Sequence, residues 1–120
     1  MIEYAKEELL EALRVVSSTI SKCEKAQLKF AEGTSQYSLL KNRIKAMYIS
    51  KALLTGEGVR EFTQEELLAA LPPVSSIISK CEKGQEKYAE GSVGYNKLKK
   101  IIVPMYISKA LILKEISKRG

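Results

Sequence analysis

Apolar residues recur along this chain at alternating steps of four and three, the spacing that lines one face of an α-helix. Leu9, Leu13, Val16, Ile20, Cys23, Gln27 and Phe30 form one such stripe, and Leu67, Leu71, Val74, Ile78, Cys81, Gln85 and Tyr88 form a second. A shorter stripe of Tyr37, Leu40, Ile44, Met47, Lys51 and Leu54 is echoed by Tyr95, Leu98, Ile102, Met105, Lys109 and Ile112. The pattern predicts four helices. Glu32-Gly33-Thr34-Ser35-Gln36 and Glu90-Gly91-Ser92-Val93-Gly94 separate them in pairs, and the Gly33 and Gly91 positions supply the left-handed residue that ends the first helix of each pair. Each pair is then an αα-hairpin.

The stripes match because the chain is written twice. A shift of 58 residues aligns 3–57 with 61–115 without a gap, with 33 identities over the 55 positions. The copies are joined by Thr55 to Phe62, after which Thr63 and Glu66 form a capping box for the third helix. A linker this short returns the chain to a neighbouring helix. The expected fold is therefore all-α: an up-down-up-down four-helix bundle made of two tandem αα-hairpins with pseudo-two-fold symmetry, residues 1–120 forming one domain. A hairpin of about 50 residues cannot bury its stripe alone. The chain thus reads as a hairpin homodimer fused into one molecule, by gene duplication or by engineering or laboratory evolution.

The differences between the copies point to where a ligand would bind. Several turn polar residues into apolar ones beside the stripe: Thr19 becomes Ile77, Arg43 becomes Ile101 and Lys45 becomes Val103. Arg14-Val15 becomes Pro72-Pro73, and Ala46 becomes Pro104. The residue before a proline avoids the α region, so the third helix is expected to be broken at Pro72-Pro73. Pro104 is expected to kink the fourth, freeing the Lys100 carbonyl. An internal proline costs a helix about 3 kcal/mol. Its presence in one copy alone favours a second half reshaped around an asymmetric pocket, lined by Ile77, Ile101, Val103, Met47 and Met105.

Lys51 and Lys109 fall near the centre of an apolar stripe, where a cation is least expected. A desolvated lysine beside another cation loses basicity and can attack a carbonyl to form a Schiff base. Tyr48 and Tyr106, three residues earlier, would orient or supply the proton. The competing explanation is a lysine near a helix C-terminus whose ammonium snorkels into water. Cys23 and Cys81 read as buried free thiols with no basic neighbour to activate them, a disulfide between them remaining open.

Composition narrows the chemistry. The chain has no His and no Asp, which excludes Ser-His-Asp triads, HExxH zinc sites and EF-hand loops, and two Cys do not make a structural zinc site. No metal or cofactor is expected. The net charge of +6 is spread evenly, with Lys and Arg interleaved with Glu, which makes nucleic acid an unfavoured partner. Met1 to Leu13 holds four Glu and does not resemble a signal peptide, and the longest apolar run, Ile101 to Leu113, is interrupted by Pro104 and Lys109. With sparse cysteine, this reads as a cytoplasmic protein with no membrane partner. The leading expectation is a binding or scaffold protein for a small apolar molecule or a partner helix. Schiff-base catalysis through lysine ranks second and weak polyanion binding third. Oligomeric state is left open by the sequence.

Overall fold

Short polar side chains start three of the four helices. Thr34 Oγ1 accepts from the Tyr37 amide at 3.2 Å and Ser92 Oγ from the Tyr95 amide at 3.3 Å. Thr63 and Glu66 exchange bonds of 2.9 and 3.1 Å, the reciprocal cap that their spacing predicts. The remaining start is closed by Glu8, whose Oε1 accepts from the Ala5 amide at 2.9 Å. The computed structural model describes residues 4–120, so the start of the first repeat at Glu3 lies outside the described residues. It contains α1 (Lys6–Gln27), α2 (Ser35–Thr55), α3 (Gln64–Gln85) and α4 (Val93–Arg119), with one 3₁₀ turn at Val59–Glu61. No strand occurs among the described residues.

Two expectations about helix ends are corrected. Gly33 and Gly91 do adopt left-handed φ angles of 89° and 84°, but α1 and α3 stop earlier, at Gln27 and Gln85. The glycines shape the turn rather than cap the helix. The break expected at Pro72-Pro73 does not occur, since α3 runs through both prolines as one helix. Each proline removes one backbone hydrogen bond, to the carbonyls of Leu68 and Ala69 respectively, and both of those residues are exposed. Water can satisfy the freed carbonyls, so the helix persists. Similarly, α4 continues through the buried Pro104, whose missing amide frees the carbonyl of the exposed Lys100.

The four helices pack compactly. Within each hairpin α1 lies on α2 and α3 on α4. The hairpins clasp through α2 with α3, α1 with α4, and α2 with α4. Among the described residues α1 and α3 do not meet. Four aligned helices of this length would share one long axis of about 35–40 Å and measure about 20 Å in the other two directions. The molecule measures 41 × 41 × 20 Å, broader than such an aligned set in a second direction.

This packing decides which faces are inside. Val16, Met47, Leu67, Val74, Met105 and Ile112 are fully buried and join the hairpins in one cluster. Each such side chain contributes about 1.5–3 kcal/mol through removal from water. Because α2 touches all three other helices, its buried arc is Ala46, Met47, Ile49, Ser50 and Ala52. Small residues admit the close neighbours, and Lys51 is turned to the outside.

The inter-copy linker is pinned by the chain's own end. Arg119 donates to the carbonyls of Phe62 and Val59, the latter at 2.8 Å, and pairs with Glu115 at 2.8 Å. Gln64 Nε2 donates to the Ile116 carbonyl at 3.0 Å, so the start of α3 and the end of α4 share one polar clamp.

Candidate functional site: a groove between α1 and α4

The contact of α2 with α3 and that of α4 with α1 form grooves at equivalent positions 58 residues apart. The first is lined on one side by Asn42, Lys45, Ala46 and Ile49 and on the other by Thr63, Glu65, Glu66, Ala69 and Ala70, and encloses about 240 Å³. The second is lined by Asn96, Lys99, Lys100, Val103, Pro104 and Ile107 on α4 and by Glu7, Glu8 and Glu11 on α1, and encloses about 570 Å³. Ile107 stands where Ile49 does, while Pro104 replaces Ala46 and Val103 replaces Lys45.

Electrostatics explains why one groove is spanned. Glu66 uses Oε1 to accept from the Thr63 amide and Oε2 to hold Lys45 Nζ at 2.5 Å, which ties α2 to α3. The Lys45 ammonium first, and the Thr63 amide second, hold the Glu66 carboxyl below its ordinary range. In the larger groove Glu8 makes the matching bond to Ala5, but the partner position carries the Val103 side chain. Among the described residues no cation pairs with Glu8. Glu11, one turn on, is held by Arg14 through contacts of 2.5 and 3.0 Å. Arg14 keeps the Glu11 carboxyl low, with a smaller contribution from Lys100 across the groove.

The residues singled out by sequence are distributed as follows. Val103 is 45% exposed and forms part of the floor of the large groove, beside the buried Pro104. Ile101 is half-buried in a smaller depression of about 200 Å³ beside Arg14, Val15, Thr19 and Lys22, and it also packs on the core. Ile77 is half-buried against the same core. Met47 and Met105 are fully buried and line neither groove. Of the five proposed lining residues, the large groove therefore holds only Val103. Glu7, Glu8, Glu11, Asn96, Lys99, Lys100, Pro104 and Ile107 complete it. The 58-residue comparison marks Pro104 and Val103, but only the fold brings α1 opposite them.

Lys51 is exposed, at the rim of a shallow depression with Tyr48 and Phe62, and Lys109 is half-buried. The apolar surroundings expected of Lys51 are not there. The two tyrosines are engaged elsewhere: Tyr48 donates to Glu24 Oε2 at 3.2 Å and Tyr106 to Glu82 Oε2 at 3.0 Å. These carboxylates push both phenol pKa values up, which favours the protonated donor.

Both cysteines are free thiols, Cys23 buried and Cys81 half-buried. Burial pushes both pKa values up, and Arg43 opposes the rise at each. The absence of a basic neighbour expected from sequence is thus corrected. Arg43 on α2 reaches toward α3, where its Nη2 lies 3.4 Å from Ser76 Oγ. Among the described residues no group of three or more His, Cys, Asp or Glu side chains converges as metal ligands. None of the described helices is long and apolar enough to cross a membrane. The chain matches no protein-family model, no curated protein and no solved structure.

Proposed function

We propose that this chain is a small helical binding protein whose α1/α4 groove receives a small apolar molecule. The observation that carries this reading is the inequality of the two equivalent grooves, about 570 against 240 Å³. A volume of about 300 Å³ or more is the usual range for small-molecule sites. Replacement of Lys45 by Val103 and of Ala46 by Pro104 provides an uncovered apolar floor in one copy alone. On this reading the halves are pseudo-two-fold equivalents of an ancestral or engineered hairpin dimer, and the asymmetry serves recognition rather than folding.

Schiff-base catalysis has less support, because it needs a desolvated amine: Lys51 is exposed, Lys109 is only half-buried, and Tyr48 and Tyr106 are held by Glu24 and Glu82. A partner helix has less support than a small molecule because the groove is bounded on both walls by charged side chains.

Titration with n-octanol, a neutral apolar probe, tests the proposal. Methyl resonances of Val103 and Ile107 are expected to shift saturably, while that of Ile49 in the smaller groove stays in place. Equal shifts in both grooves, or none in either, overturn the proposed site.

A further inference from the structure

We propose that the α1/α4 groove selects a primary alkylammonium, with the ammonium on Glu8 Oε2 and the alkyl chain over Val103, Pro104 and Ile107. This rests on the groove being the binding site and names the class of molecule it takes.

The chain itself displays the required contact once. In the α2/α3 groove the Lys45 side chain is in effect a tethered alkylammonium: its methylene stem ends in a primary amine 2.5 Å from Glu66 Oε2. Glu66 has its other oxygen occupied by the amide of the residue that caps α3. Glu8 repeats this arrangement on α1, with Oε1 taken by the Ala5 amide at 2.9 Å. At the position of the tethered amine, α4 carries Val103, which ends in methyl groups and cannot supply the charge. A carboxylate fixed by its cap beside an apolar floor is complementary to a molecule with one ammonium and one aliphatic chain.

The lysines of the opposite wall do not supply that charge. Lys100 acts electrostatically on Glu11, which Arg14 already holds. Lys99 lies one turn before Val103, on the wall facing Glu8, and forms no ion pair among the described residues. Both lysines would favour a carboxylate ligand if they dominated the site, so an anionic probe of equal chain length is the opposing case.

The test compares octylammonium, octanol and octanoate on the 120-residue chain by the same resonance titration. Octylammonium is expected to bind roughly threefold or more tighter than octanol, the increment of one partly exposed charge-assisted contact. It should also shift the Ala5 amide, which is bonded to the same carboxylate. Glu8→Gln keeps an oxygen for the Ala5 amide while removing the charge, and is expected to bring the ammonium-to-alcohol ratio to about one. Lys45→Val should expose Glu66 in the same way and create a second ammonium site. If octanol binds the groove and octylammonium binds no better, or octanoate binds best, the ammonium assignment is overturned while the apolar site stands. A preference that survives Glu8→Gln also overturns it. If no probe shifts Val103 or Ile107, the site itself is wrong.

Discussion

Lys45 on α2 meets Glu66 on α3 at 2.5 Å, and the residue of α4 equivalent to Lys45 is Val103, in the groove shared with Glu8. Exchange of that ammonium for two methyl groups, together with Pro104 in place of Ala46, distinguishes the spanned groove from the open one. The contact is partly exposed, with Lys45 at 55% and Glu66 at 29% side-chain exposure, so its main effect is to occupy space rather than to stabilise the fold.

Val103→Lys should therefore close the large groove. The new side chain covers the floor beside Pro104 and brings its amine to Glu8, and octanol affinity is expected to fall roughly fivefold or more as apolar contact is lost. Isothermal titration of the variant against the parent chain measures this. Unchanged affinity would place the binding surface elsewhere.

The same ion pair sets an acid dependence. The Glu66 carboxyl is held below its ordinary value of 4.5, by Lys45 and then by the Thr63 amide. A folded value below the unfolded one means the unfolded chain takes up the proton more readily. The contribution is therefore fully present above the unfolded value and is lost as pH falls through the folded one. Denaturation midpoints should decline as pH drops below about 4.5. The decline should be shallower in Glu66→Gln, and parallel curves would show that the pair is not formed in solution.

Pro72 is exposed, yet removes an amide hydrogen bond inside α3. Pro72→Ala restores the donor to the Leu68 carbonyl and is expected to stabilise the chain by about 1–3 kcal/mol. Urea unfolding provides the measurement. A loss of stability would mean that the proline ring makes packing contacts worth more than the restored bond.

Arg119 satisfies two linker carbonyls and pairs with Glu115, with side-chain exposures of 23% and 17% for the pair. Arg119→Ala is expected to cost about 1.5–3 kcal/mol, because charge-assisted bonds are lost together. Cleavage by trypsin within the linker, at Arg60, should accelerate in parallel. Unaltered cleavage would show that the clamp does not restrain the linker.

Helix number, the two hairpins and the Thr63–Glu66 cap were determined by the sequence alone, because they depend on local spacing and on bonds within one turn. The repeat also marked Val103 and Pro104 directly, as substitutions between aligned copies. What the sequence misassigned depends on neighbours distant along the chain. Lys51 falls on an apolar stripe, but α2 is contacted by three helices, and Ala46 and Ser50 take the inner arc because close packing favours small residues there. Arg43 reaches toward α3 and influences both thiols through space, which no periodicity records. The continuity of α3 through two prolines goes with the exposure of Leu68 and Ala69, whose carbonyls lose their partners. Finally, the three glutamates at the start of α1 become a groove wall only because α1 packs against α4. Burial and proximity between hairpins are properties of that packing, and tertiary structure alone decided them.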